Sequence, residues 1–283
     1  MSSNKGTVPL NIHSLGKSSA AIRSDVLAVE EPMEIKLAFG ALQRREFASL
    51  AVTMRTPGDD FDLARGFLFT EGIIGRKADI RALRHVGEVL DPQSRENVVL
   101  AELDPALRVD MTGFTRHFYT SSSCGICGKA SLDMVRTTGV YLLRSGHPEF
   151  SAEMLFQLPR RLEKAQRLFA HTGGIHAAAL FNTEGELVLL REDVGRHNAL
   201  DKLIGAALQR DLLPLSDYGL LVSGRASFEL VQKAFMAGLP LLAAVGAASS
   251  LAVDLAVECG MTLVGFLRND QANCYCGVER IRR

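Results

Sequence analysis

Residues 218–246 read YGLLVSGRASFELVQKAFMAGLPLLAAVG, and their periodicity decides the fold. YGLLVSG is a short apolar run with the look of a buried strand, and PLLAAVG is a second. Between them SFELVQKAFMAG carries apolar residues at helical spacing, with Ser227 placed to cap its start and Gly238 to stop it. Downstream the grammar repeats: SSLAVDLAVECG reads as a helix and MTLVGFLR as a strand. Upstream, GIHAAALFNTEGELVLLRED reads as two strands around the turn NTEGE, followed by the amphipathic helix RHNALDKLIGAALQR. A further helix, SAEMLFQLPRRLEKAQRLFA, precedes them with Pro159 inside it. Strands alternating with helices predict an α/β sheet covered by helices, with ligand sites at the strand-to-helix turns.

The first half reads differently. Residues 1–25, rich in Ser, Gly and Lys, have the composition of a disordered tail. VLAVEEPMEIKLA, FASLAVTMR, NVVLAELD and ALRVDM read as strands, and GDDFDLARGFLFTEGII as a helix capped by Asp59 or Asp60 and ended at Gly72. These define a small β-rich α+β domain over residues 26–115, ahead of a larger α/β domain over 116–283. RHFYTSSSCGICGKAS joins them as a glycine- and serine-rich loop running into a helix at about Lys129–Arg136.

The chain has 283 residues, 47% hydrophobic and 23% charged, enough to build a core. Lys and Arg together number 32, as do Asp and Glu, a balance that argues against a binder of nucleic-acid polymers. No apolar run approaches the ~20 residues of a membrane span, and the polar start lacks a signal peptide's apolar stretch, so a cytoplasmic protein is expected. Five cysteines in that setting are no disulfide framework.

Cys124 and Cys127, in SSSCGICGKAS, therefore point to metal or thiol chemistry. A helix start and Lys129 favour a thiolate, and the flanking glycines admit a bulky partner. Three readings are open: a zinc site completed by Cys274 and Cys276, a dithiol that cycles through a disulfide, or one reactive sulfur presented to a partner. Cys259 reads as a helix residue of the core.

Four polar clusters stand at strand ends. In LREDVGRHNALDK, Arg196 and His197 suit a phosphate at a helix start, and Asn198 or Asp193 a base edge or hydroxyl. In VSGRASFE, Arg225 is the cation of a small anion cradle that lacks P-loop spacing. HTGGIHAA sets His171 and His176 around a double glycine, and GFLRND offers Phe266 for stacking and Arg268 for charge. Together they predict a sizeable anionic ligand such as a nucleotide. A zinc deaminase is excluded: no Glu follows His176 at the required place and no Pro precedes Cys124.

The set TPGDDFDLARGFLFTEGII, SSSCGICGKAS, TGGIHAA, REDVGRHNALDK, SGRASFELVQKAFMAGLP and TLVGFLR, in this order, resembles the FdhD family of formate dehydrogenase accessory sulfurtransferases. The resemblance implies a larger domain similar to the cytidine deaminase fold and a homodimer. It implies a protein that takes a persulfide sulfur from a cysteine desulfurase. That sulfur passes to the molybdenum cofactor, in its bis(guanine dinucleotide) form, destined for formate dehydrogenase; GDP mimics the ligand's guanine end. It makes Cys124 the persulfide carrier and Cys127 its second cysteine. Phe266, Leu267, Arg268, Asn269, Asp270 and Gln271 form the cofactor-binding stretch, and no resident metal is implied.

Overall fold

The computed structural model describes residues 6–15, 20–87, 94–109 and 141–283. The mixed α/β architecture is built on a six-stranded sheet: β8 (His176–Phe181), β9 (Leu187–Asp193), β10 (Gly219–Val222), β11 (Leu241–Ala244), β12 (Thr262–Gly265) and β13 (Asn273–Cys276). Its order is β13-β12-β11-β10-β8-β9. β10, β11 and β12 run parallel, and β8 and β13 flank them antiparallel. The three parallel strands are buried at every position, which is why they read as unbroken apolar runs.

Strand alternation assigns the two faces. Leu220, Val222, Leu242, Ala244 and Leu263 point into one apolar cluster, and Leu221, Leu241, Ala243 and Val264 into the other. The second face is covered by α2 (Ala152–Ala165), through Met154, Leu155, Leu158 and Leu162. The first is covered by α4 (Arg196–Gln209), α5 (Phe228–Met236) and α6 (Ser250–Glu258).

The first half adds a four-stranded sheet, order β4-β3-β6-β5, made of β3 (Glu31–Phe39), β4 (Glu46–Arg55), β5 (Ile80–His85) and β6 (Val98–Leu103). Its helix α1 (Asp60–Thr70) lies against α4. The crossing is so close that a Cβ at Gly66 would strike the carbonyl of Asp201, and one at Gly205 that of Asp62. Met33, Ile35 and Leu63 from this half share one core cluster with Leu200, Leu220 and Leu242 from the other. The expected boundary at 115/116 lies outside the described residues.

Several local expectations are corrected. The N-terminal tail instead forms a ribbon of β1 (Thr7–Leu15) and β2 (Ala20–Ala28), in antiparallel register from Thr7↔Ala28 to Leu15↔Ala20. Gly6 anchors the ribbon, buried against Thr56 and Leu168. Residues 106–109 are not a strand: Ala106 N–H donates to Asp104 Oδ1 at 2.8 Å and the chain turns, with Leu107 packing on the core. Asp59 stands at the N-cap of α1 without a side-chain cap bond, and Asp60 instead accepts from Arg55 Nε at 3.0 Å.

The expected helix over 151–170 tolerates Pro159 but breaks at Gln166, where ψ is 98°, and resumes as α3 (Arg167–Thr172). The break is held from outside: the Glu192 carboxylate accepts from the amides of Leu168 and Phe169, both at 3.0 Å. The C-terminal stretch is paired into the fold as well. β13 pairs with β12, and β14 (Ile281–Arg282) pairs parallel with β7 (Phe150–Ser151). The buried Arg280 guanidinium donates to the carbonyls of Arg144 at 2.7 Å, Gly260 at 2.9 Å and His147 at 3.1 Å.

Candidate functional site

The densest charged patch in the sequence is held together internally. Asp193, at the end of β9, is fully buried. It accepts from Lys202 Nζ at 2.7 Å, Gly195 N at 2.8 Å, and both Asn198 Nδ2 and Thr56 N at 3.2 Å. Asn198 also donates to the Met54 carbonyl at 2.7 Å and accepts from Thr53 Oγ1 at 3.0 Å. Both polar side-chain atoms of Asn198 are thus engaged in tying α4 to β4 and β9, and the expected reading of a base edge by this residue is replaced by a structural one. Arg191 likewise pairs with Asp62 at 2.8 Å and Asp59 at 3.4 Å.

His197, the first-turn residue expected to bind phosphate, has its Nε2 2.7 Å from Glu229 Oε2 and 3.4 Å from Ser227 Oγ. Hydrogen bonding from His197 holds the Glu229 carboxyl below the usual range, outweighing its burial. One ring nitrogen meets both partners, so the trio cannot relay a proton from serine through histidine to carboxylate. Ser227 stands at the N-cap of α5 without a side-chain cap bond. Arg225 is exposed, with its stem beside Gly246.

The strand ends of β10, β11 and β12 stack their loops directly. Gly246 N–H donates to the Gly224 carbonyl at 3.0 Å, and Phe266 N–H to the Gly246 carbonyl at 2.9 Å. Side chains at Gly246 or Gly265 would crowd these contacts to about 3 Å, tighter than packed carbons tolerate. Phe266 takes φ 51°, a conformation that bulky residues rarely adopt. That turn drives Leu267 into the core and sends Arg268, Asn269, Asp270 and Gln271 outward, closed by Arg268 N–H donating to the Gln271 carbonyl at 2.9 Å.

Beside this turn a cavity of about 940 Å³ opens at the carboxyl ends of the parallel strands, the place where α/β sheets hold ligands. Leu267, Arg268 and Asn269 line it, together with Gly174, His176 and Ser223. The α2–α3 elbow contributes Arg160, Glu163, Gln166 and Phe169 to the lining. Burial first, then the electrostatic influence of Arg196 and His197, push the His176 pKa down, so its imidazole is neutral near pH 7. Ser223 Oγ accepts from Ala177 N–H at 2.9 Å. Gln166 is buried, at 5% exposure, and its Nε2 has no hydrogen-bond partner among the described residues.

The structure thus gathers part of the expected site. Leu267, Arg268, Asn269 and His176 meet at the cavity, whereas Arg225, His197 and Asn198 do not line it. Asp270, Gln271 and the exposed ring of Phe266 belong to the same turn but lie outside the cavity lining. The elbow residues have no signature in the sequence beyond amphipathic periodicity and an internal proline. Cys124 and Cys127 lie outside the described residues.

Cys274 and Cys276 alternate with Tyr275 on the edge strand β13. Their thiols are weakly bonded, to the Cys276 and Met261 carbonyls at 3.3 and 3.4 Å. Burial, the largest cause for each, pushes both pKa values up, so they are poor nucleophiles at neutral pH. Among the described residues no group of three His, Cys, Asp or Glu is placed to hold a metal, and no helix is long and apolar enough to cross a membrane.

Comparison with known proteins places this geometry. A profile of the FdhD/NarQ family matches residues 28–282. A sulfur carrier protein FdhD from Streptomyces coelicolor is 53% identical over 265 residues, covering 93% of this chain and 91% of the relative. One from Mycobacterium tuberculosis is 45% identical over 279 residues, covering 97% and 98%. The fold is similar to a crystal structure from Desulfotalea psychrophila, described as that of a candidate formate dehydrogenase accessory protein. Its TM-score is 0.68 at 21% identity, over 98% of this chain and 99% of that one. Matched along nearly its whole length, and about half identical to its relatives end to end, the chain belongs to the FdhD/NarQ family.

Proposed function

We propose that this chain is a cytoplasmic sulfur carrier acting as a homodimer in the service of a formate dehydrogenase, with Cys124 as the carrying residue. The Cys124 thiolate attacks the terminal sulfur of a cysteine desulfurase persulfide. A new S–S bond forms, the desulfurase thiolate leaves, and the transfer is redox-neutral. The recipient is the molybdenum cofactor in its bis(guanine dinucleotide) form, bound as substrate at the cavity beside Phe266–Gln271. Release at the level of sulfide requires two electrons. Cys127 supplies them by attacking Cys124 Sγ: hydrosulfide leaves and a Cys124–Cys127 disulfide remains, to be reopened by a cellular thiol.

The observation that supports this reading most directly is the cavity itself. It lies at the carboxyl ends of parallel strands, is large enough for a nucleotide, and is lined by Arg268 and Asn269. Names given to relatives near half identical supply the sulfur chemistry.

The test is peptide mass spectrometry after incubation with cysteine and a cysteine desulfurase. The peptide holding Cys124 is expected to gain one sulfur atom that dithiothreitol removes. Cys124→Ser should abolish the gain, whereas Cys127→Ser should retain it and accumulate it. Equal loss in both variants would instead make the pair a cycling dithiol, and stoichiometric zinc in the purified protein would make it a metal clip.

A further inference from the structure

The α2–α3 elbow carries charge that neither the sulfur relay nor the Phe266–Gln271 turn uses. Arg160 and Lys164 lie one helical turn apart on α2, and Arg167 opens α3. All three are exposed, and none makes an ion pair or side-chain hydrogen bond among the described residues. Two acids belong to the same neighbourhood and pair with none of them. Glu163 is exposed, and both oxygens of Glu192 are spent on the amides of Leu168 and Phe169. Among these cations stands Phe169, 38% exposed.

Stability does not account for this placement. A cation in the last turn of a helix complements the carbonyl end of its dipole, which explains Lys164. Arg160 stands in mid-helix, where that effect has faded, and Arg167 begins a helix, the end at which positive charge is unfavourable. Exposed arginines beside an exposed aromatic ring are instead the composition of protein–protein interfaces.

The position names the partner. Arg160 and Phe169 line the cavity that holds Arg268 and Asn269, and Arg167 lines a neighbouring hollow of about 510 Å³. The elbow is thus part of the cavity rim. Cargo held in that cavity leaves through its mouth, so the protein that receives it must come against the rim. Three unpaired cations and an apolar ring at that place fit an acidic surface with an apolar notch.

Resting on the reading of this chain as a carrier that serves a formate dehydrogenase, we propose that the elbow is the docking surface for that recipient enzyme, through an acidic patch on it. Arg160, Lys164 and Arg167 steer the approach and fix its orientation, and Phe169 is the anchor that slows departure.

Biolayer interferometry tests this, between the full-length protein and the cofactor-free catalytic subunit of the formate dehydrogenase of the same organism. The unmodified protein should bind, with association slowing about 10-fold or more as salt rises from about 50 to about 300 mM. Lys164→Glu with Arg167→Glu changes two positions outside the lining of the cargo cavity. That variant should weaken the complex at least about 10-fold, mostly through slower association, and leave GDP affinity within about 2-fold. Arg81→Glu with Arg210→Glu reverses two exposed cations elsewhere and should change binding less than about 2-fold. Phe169→Ala should speed dissociation about 10-fold. Thermal unfolding of each variant shows whether its fold is kept.

The proposal is overturned if the elbow reversal binds the subunit as the unmodified protein does. It is overturned if the remote reversal weakens the complex as much, since net charge would then be the cause. Equal weakening of GDP and of the subunit by the elbow reversal also overturns it, because the cations would then belong to the cargo site. Absence of any complex with the unmodified protein removes the docking surface altogether. Failure of the sulfur relay shows separately, as a Cys124 peptide that gains no sulfur while the salt-sensitive complex still forms.

Discussion

Two polar regions share one end of the six-stranded sheet and differ in what their side chains are doing. Around the start of α4, Asp193, Asn198 and Lys202 are buried and bonded to one another, to Thr56 and to Met54. Across the sheet, Arg268, Asn269, Glu163 and Gln166 face a cavity, and Gln166 holds a buried atom without a partner. Buried polar groups are normally satisfied, as Asp193, Asn198 and Lys202 are, although Arg196 Nε in the same segment has no partner among the described residues; the cavity region differs because Arg268 and Asn269 line open space. The more charge-rich of the two segments is here the architectural one.

Mutation of each region should separate stability from binding. Asp193→Ala strands the Lys202 ammonium and two backbone amides in the core, and urea denaturation should show a loss of about 3–5 kcal/mol. A loss under about 1 kcal/mol would mean that the cluster is not the tie that its geometry indicates. The opposite profile is expected of Arg268→Ala. GDP affinity should fall about 10- to 100-fold by calorimetry while stability stays within about 0.5 kcal/mol. If stability and binding fell together, the distinction between the two regions would collapse.

The smallest effect lies between them, at His176. Its folded-state pKa is lowered, chiefly by burial and then by Arg196 and His197. A lowered folded pKa means that the unfolded chain binds the extra proton more readily. The neutral imidazole's contribution is therefore present above the unfolded pKa of about 6.5 and is lost as pH falls through the folded value. His176→Gln should flatten that part of the stability profile, measured by thermal unfolding between pH 7.5 and about 5. An unchanged acid slope would remove His176 from the account.

Legibility followed the range of the forces involved. The helices α4, α5 and α6 were readable because their stop and start residues and apolar stripes are local. The N-terminal ribbon was not, since its strands are largely exposed, with no apolar face turned to the core, and are defined by pairing with each other. Nor was the elbow at Gln166: its second helix is capped by Glu192, 24 residues from Leu168. The turn at Phe266 was legible as a strand end bearing a ring and a cation, in GFLRND, but which of its residues face the cavity was not.

By itself the sequence determined the alternation of strands and helices and the carboxyl-end location of a site. It also supplied the paired cysteines of the Cys124 segment and the family resemblance, since each rests on residue types at short spacing. Only the tertiary structure decided which polar side chains are free to meet a ligand. Asn198 is engaged by Met54, 144 residues away, and Asp193 by Thr56, 137 away, whereas the exposed Arg268 and Asn269 line the cavity. A hydrogen bond depends on distance in space rather than along the chain, and that distance exists only once the two halves have packed on one core.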